Sequence, residues 1–136
     1  MIPKVGKRTN WRKKADDIFS LLVRTEAGFK CQFHEALREK DIPPPCSCNG
    51  VMQCCHKITR GKSAIRFDRR NVLCGCSGSN LWAKWNPVEW NLLWKALYPY
   101  DVEYLESIKN KETHFKAWDY KIMIDEYKQK LAELKQ

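Results

Sequence analysis

The sequence predicts an α+β protein in which a short, cysteine-rich pair of strands has one helix before it and several after it. Three observations lead there. Between Cys46 and Asn80, thirty-five residues hold six of the seven cysteines, one histidine and six Lys/Arg, a density found nowhere else in the chain. Outside that stretch, apolar residues recur at the three- and four-residue spacing of amphipathic helices. The length, 136 residues, suits one hydrophobic core rather than two, so residues 1–136 are expected to form a single domain. Its expected parts are a basic arm over 1–10, a helix over 11–28, a cysteine-rich core over 31–85 and a helical tail over 86–136.

The arm shows no apolar periodicity. From an N-cap at Thr9 or Asn10, the segment WRKKADDIFSLLVRTEAG sets Ala15, Ile18, Phe19, Leu22 and Val23 on one face and stops at Gly28, which predicts an amphipathic helix of about four turns. Cys31 and His34 follow as C-x2-H, and then EALREKDI, a turn or two of helix. Pro43, Pro44 and Pro45 end it and impose an extended approach to Cys46. Val51 to Ile58 reads as a strand, Thr59 to Ser63 as a turn around Gly61, and Ala64 to Phe67 as a second strand. The glycine- and serine-rich CGCSGSN from Cys74 reads as a tight turn before a short helix. Asn86-Pro87 starts a helix that buries Trp90, Leu93, Trp94 and Leu97, and Trp90 and Trp94 read as core rather than as base-stacking platforms. Asp101 caps a further helix. From about Lys116 a last helix carries Tyr120, Ile124, Tyr127 and Leu131 along one side.

A net charge of +9 and a pI near 9.3 make nucleic acid the expected partner. The excess is concentrated at the N-terminal end and around the core, where Arg12, Lys13, Lys14, Lys57, Arg60, Lys62, Arg69 and Arg70 are the expected phosphate contacts. No run approaches the roughly 18 apolar residues of a membrane span. No apolar segment follows the basic N-terminus, so a cytoplasmic protein without membrane contact is expected.

Six of the cysteines form three tight pairs, Cys46/Cys48, Cys54/Cys55 and Cys74/Cys76. In a chain with no apparent leader this spacing reads as metal binding before disulfides. Zinc takes four nitrogen or sulfur ligands in a tetrahedron, and two short pairs separated by a loop can supply them. Cys46 and Cys48 with Cys74 and Cys76 is the favoured set, and Cys31 and His34 compete for the first half. A redox role for Cys54 with Cys55 is disfavoured, because adjacent cysteines rarely meet the geometry of a relaxed disulfide.

His56 closes the first strand, a basic loop follows, and Asn71 stands fifteen residues on. A neutral imidazole beside a divalent ion can take a proton from water, while the ion stabilises charge on a phosphate and its leaving oxygen. The stretch HKITRGKSAIRFDRRNVLCGC resembles the HNH, or ββα-metal, nuclease signature. From about Trp11 the chain resembles the phage Rap/NinG recombination endonucleases: a basic helix, a cysteine pair, a histidine strand, the turn Arg66-Phe67-Asp68-Arg69-Arg70-Asn71, a second cysteine pair and a helical tail closing on EYKQKLAEL. The resemblance implies a zinc-stabilised ββα-metal core with flanking helices, a structural Zn²⁺ beside a catalytic Mg²⁺ or Mn²⁺, and cleavage of branched DNA such as Holliday junctions or D-loops. Its setting would be the cytoplasm of a phage-infected or prophage-carrying bacterium. It makes His56 the general base, Asn71 the residue that orients it, Arg66 a stabiliser of the transition state, and Asn80 a ligand of the catalytic ion. Where family members carry Asp or His just ahead of the catalytic histidine, this chain has Gln53, Cys54 and Cys55. The Cys55 thiol is a second candidate ligand, suited to a soft ion more than to a hard one.

The expected function is therefore a metal-dependent DNA endonuclease. The alternative is a catalytically inactive, zinc-stabilised DNA-binding module, favoured by the missing third histidine and the lack of an acid next to His56 in the sequence. A two-fold homodimer would suit a four-way junction, although no seam in the sequence marks one.

Overall fold

A helix opens the part of the chain that the computed structural model describes, residues 9–135. This helix, α1 (Trp11–Glu26), begins at Asn10, whose side-chain oxygen accepts a hydrogen bond from the Lys13 amide at 3.0 Å. It stops ahead of Gly28, whose φ of +63° a glycine adopts without strain. Ala15, Phe19, Leu22 and Val23 form its buried stripe, as the periodicity predicts. A short helix, α2 (Gln32–Glu39), starts directly after Cys31. The strands are β1 (Met52–His56) and β2 (Val72–Cys76), antiparallel, with Met52 opposite Cys76 and His56 opposite Val72. Four helices follow: α3 (Ser77–Trp85), α4 (Pro87–Leu97), α5 (Pro99–Ile108) and α6 (Ala117–Leu134). The architecture is α+β, with six helices and one two-stranded sheet among the described residues. Most of the expected basic arm lies outside those residues.

The second strand is not Ala64 to Phe67. Ser63–Ile65 is a 3-10 turn, and the CGC expected to be a tight turn lies inside β2. Asn71 is the physical reason. Fully buried, it accepts the Ile58 amide on Oδ1 at 2.8 Å and donates from Nδ2 to the carbonyls of Ile58 and Ile65 at 3.0 and 3.1 Å. These bonds gather the segment between the strands into a loop and occupy backbone groups that a second strand would need for its ladder. Gly75 keeps β2 in place, since a Cβ there would lie 2.6 Å from the Cys55 sulfur.

The sheet is packed from two sides. On one, Phe19, Leu22 and Val23 of α1 meet Tyr127 and Leu131 of α6 over Val72 and Cys74. On the other, Phe33 and Leu37 of α2 and Trp90, Trp94 and Leu97 of α4 close over Cys55 and Leu73. The α1–α6 pairing is the most extensive in the molecule. Two expected caps differ. Asn86 donates to the Trp82 carbonyl at 2.9 Å instead of capping α4, and α5 begins at Pro99, which leaves Asp101 in its first turn. Among the described residues no helix is long and apolar enough to cross a membrane.

Candidate metal centre and histidine cleft

Four side chains converge where α2, the loop before β1 and the end of β2 meet. One ligand atom from each of Cys31, His34, Cys48 and Cys76 lies within 4.8 Å of all the others. Cys31 and Cys76 are the N-cap residues of α2 and α3. The Cys31 sulfur accepts the Cys76 amide at 3.3 Å and the Cys76 sulfur lies 3.1 Å from the Ser79 hydroxyl, outer bonds of the kind that hold a ligand sulfur in place. His34 sits in the first turn of α2, three residues beyond Cys31, with Nδ1 3.2 Å from the Cys31 sulfur and 3.8 Å from that of Cys76. Its Nε2 faces the Cys46 carbonyl at 2.9 Å. With the proton on Nε2 donated to that carbonyl, Nδ1 keeps its lone pair for the cluster, the arrangement that orients histidine ligands in metal sites.

The donor set fits a tetrahedral ion. Zinc–ligand bonds of about 2.0–2.3 Å give tetrahedral edges of about 3.5–3.8 Å, so only a small contraction is needed. The thiols are also crowded. Desolvation and then the neighbouring Cys31 and Cys76 sulfurs push the Cys48 thiol up to about 12, a repulsion that a cation relieves. At Cys76 burial acts upward, but bonds from Ser79 and Asn49 outweigh it and the net shift is downward, towards thiolate. A Cys3His cluster that can hold a structural metal such as zinc is thus present, with Cys31, His34 and Cys76 buried and Cys48 at its exposed edge. Its members combine the two halves that the sequence left in competition. Cys46 contributes its carbonyl to His34, and its sulfur stands 4.0 Å from Nε2 and 3.6 Å from the Ser79 hydroxyl. Cys74 is not in the cluster: it lies mid-strand, fully buried, in the packing group under α1 and α6. Cys76 ends the strand and turns the other way.

Along β1, between α1 and α3, runs a cleft of about 690 Å³ lined by Asp16, Asp17, Gln53, Cys54, His56, Arg60, Asn80 and Lys84, among others. A second groove of about 460 Å³ shares His56, Thr59 and Lys84 with it. The His56 Nε2 lies 3.0 Å from the Arg66 carbonyl, so Nε2–H donates there and Nδ1 is the acceptor. Desolvation lowers the pKa of this ring, and the charges of Arg60 and Arg66 add to that, while the carbonyl bond opposes it. The ring is therefore neutral near pH 7. Asn80 projects from α3 and donates to the Gln53 Oε1 at 2.7 Å. Asn71 makes no bond to the His56 ring; it fixes the loop whose Arg66 carbonyl does.

Arg66 does not reach into the cleft as a free cation. Its guanidinium grips both carboxylate oxygens of Asp16, with Nε 2.8 Å from Oδ1, and donates from Nη1 to the Arg60 carbonyl at 2.9 Å. The remaining basic residues divide in the same way. Lys57 is buried, donating to the Arg70 carbonyl at 2.8 Å and lying over the Tyr98 ring, so it is a structural lysine instead of a phosphate contact. Arg69 pairs with Glu26, Lys13 with Asp17, Arg70 lies over Tyr104, and Lys62 donates to Asn110. Arg60 lines the cleft, Arg12 lines a smaller groove beside it, and Lys14 lies over Trp11. Cys55 is fully buried beneath Gly75, and it is Cys54 that lines the cleft. The sequence reading missed Asp16, Asp17 and Lys84. Lys84 had a signal, since it lies one helical turn after Asn80 and so shares its face. The acids of α1 had none, because only the fold brings that helix over β1.

No protein-family model, curated protein or solved structure matches the chain.

Proposed function

We propose that this protein is a metal-dependent DNA endonuclease of the HNH kind, similar to the phage Rap/NinG enzymes, acting on branched DNA, with zinc in the Cys31, His34, Cys48 and Cys76 centre. The observation that carries the reading is His56. It stands at the end of a strand, neutral, with Nε2–H held by a backbone carbonyl and Nδ1 left as acceptor, in a cleft that also holds Asn80 and Lys84. The order strand, loop, strand, helix supports it, with Asn71 bracing the loop and Asn80 on the helix.

In this reading His56 takes a proton from water through Nδ1, and Arg60 and Lys84 hold the phosphate backbone. Asn80, with the carboxylates of Asp16 or Asp17, offers the oxygen donors that Mg²⁺ or Mn²⁺ prefers, whereas the Cys54 thiol does not. When bound, that ion would stabilise charge on the phosphate and the leaving oxygen. A second reading, a DNA-binding module without catalysis, is favoured by one observation: Asp16 and Asp17 are taken up by Arg66 and Lys13.

The test is cleavage of a labelled four-way junction and a matching linear duplex by wild type and His56→Ala, in Mg²⁺, Mn²⁺ and a chelator. Ion-dependent, junction-selective nicking that falls by at least about 100-fold in His56→Ala is the expected result. Equal cleavage by the variant would remove His56 from the mechanism. Binding without nicking in every ion would establish the second reading.

A further inference from the structure

Two cysteines that belong to neither the metal cluster nor the proposed chemistry face one another across the sheet. Cys54 on β1 is directly opposite Cys74 on β2. The kind of pair they form follows from the ladder's ends. The Lys57 amide donates to the Asn71 carbonyl at 2.7 Å and the Ser77 amide to the Val51 carbonyl at 2.8 Å, so the pairs 57/71 and 51/77 are hydrogen-bonded ones. Hydrogen-bonded and non-hydrogen-bonded pairs alternate along an antiparallel ladder. Counting inward from either end makes 54/74 a non-hydrogen-bonded pair. The Cys74 amide agrees: it points away from β1 and donates to Gln32 Oε1 at 2.9 Å. Such pairs bring Cα atoms to about 4.5 Å, within the roughly 4.4–6.8 Å that a disulfide spans. Both side chains belong to the packing group under α1, so they share a face. The other cysteines of the sheet lack this relation, since Cys55 faces Leu73 and Cys76 faces Met52.

We propose that Cys54 and Cys74 are a redox-sensitive pair that a peroxide oxidises to a cross-strand disulfide. Cys54 is half-buried and lines the cleft, so it meets the oxidant first, whereas Cys74 is fully buried. Its sulfur attacks one peroxide oxygen, giving a sulfenic acid and releasing water. The Cys74 sulfur then attacks the Cys54 sulfur and displaces the sulfenic oxygen as water, forming the S–S bond. Overall two thiols and one hydrogen peroxide give one disulfide and two waters. Burial, and then the nearby Cys74 sulfur, push the Cys54 thiol up to about 12. That slows the first step, and it also makes Cys54 a poor leaving group, so the bond persists once made. Oxidation thereby ties the strands together and removes a thiol from the cleft two residues from His56. The proposal does not depend on the nuclease reading.

The experiment is to treat the zinc-loaded full chain with stoichiometric hydrogen peroxide, alkylate under denaturing conditions, and map linked peptides by fragmentation mass spectrometry. Two fewer alkylated cysteines than the seven of the reduced chain, a Cys54–Cys74 link and retained zinc are expected. The link should be lost in Cys54→Ser and in Cys74→Ala and should persist in Cys55→Ser. Seven alkylated cysteines after oxidation, a Cys48–Cys76 or Cys54–Cys55 link in wild type, or an unchanged loss of two thiols in Cys54→Ser would each overturn the proposal. Since wild type alone decides the pairing, a variant that failed to fold would not blunt the test.

Discussion

Lys57 and Arg60 stand in one basic loop and meet opposite fates. The Lys57 ammonium lies over the Tyr98 ring at 4.0 Å, near Asp101 at 3.5 Å, and burial lowers its pKa while Asp101 acts the other way. Arg60 faces the cleft. Replacing Lys57 with Met should therefore cost about 1–3 kcal/mol of stability, because the Arg70 carbonyl and Asp101 lose their partner. The same change should leave the salt dependence of DNA binding as it is. Arg60→Ala should do the reverse, keeping the melting temperature and reducing the slope of log K against log salt by about 1. A reduced slope in Lys57→Met would put the lysine back at the phosphate. The two residues look alike in sequence because what separates them is the pair of aromatic faces that α4 and α5 bring up. At His56 the sign of the pH effect is fixed by burial. The folded protein binds the proton less tightly than the unfolded chain, whose pKa is near 6.5. The stability this group contributes is thus complete above that pH and is lost as pH falls through the lower folded value. A general base must be neutral, so the acid limb of kcat/KM for DNA cleavage should lie below pH 6.5. A limb above 6.5 would mean that another group takes the proton.

At the scale of elements, the metal centre is built on two helix starts. Cys31 and Cys76 sit at the N-caps of α2 and α3, and at Cys76 the bonds from Ser79 and Asn49 outweigh burial and favour a thiolate. Titration of the reduced chain should show one zinc per protein. Cys31→Ser or Cys48→Ser should weaken binding by more than about 100-fold, beyond what the loss of an outer-sphere partner costs. Cys74→Ala should leave the stoichiometry unchanged, and so should Cys46→Ser, since the contact Cys46 makes to His34 is through its carbonyl. Loss of zinc from Cys46→Ser with retention in Cys48→Ser would exchange the two residues. The C-x2-H spacing of Cys31 and His34 was readable as half a site. Which half of each competing pair closes the site was not, because that depends on where β2 ends. Within a continuous strand Cys74 and Cys76 would share a face; here the backbone leaves the strand at Cys76 and enters α3. The misplaced second strand has a related cause. Ala64 to Phe67 has the composition of a strand, but the tertiary bonds of Asn71 to Ile58 and Ile65 override that local preference. The amphipathic helices α1 and α6 were legible because their periodicity is long and each buries a single stripe.

At the scale of the whole molecule, β2 is shared by the two packing groups. Val72 and Cys74 lie under α1 and α6, while Leu73 and Cys76 lie with α2 and α4. Those two sides carry the two halves of the proposed function. The first holds Asp16, Asp17 and the cleft over His56, and the second holds Cys31 and the metal centre. The shared strand couples them, since neither side can lose its packing without exposing a residue of β2. Leu131 is the place to test this, because α6 touches the first group and not the second. Leu131→Ala removes a side chain that is 6% exposed and should cost about 2–4 kcal/mol. If the chain is one cooperative unit, unfolding followed by far-ultraviolet circular dichroism should coincide with that followed by tryptophan fluorescence in a background where Trp11 of α1 and Trp118 of α6 are replaced by Phe, which leaves the tryptophans of α3 and α4, among them Trp90 and Trp94 of the distant group, to report. Both curves should move to lower temperature together. A helical transition that shifted while the tryptophan transition stayed in place would show that α1 and α6 melt on their own, and the cleft would then be an attachment to the metal-bound core and not part of it.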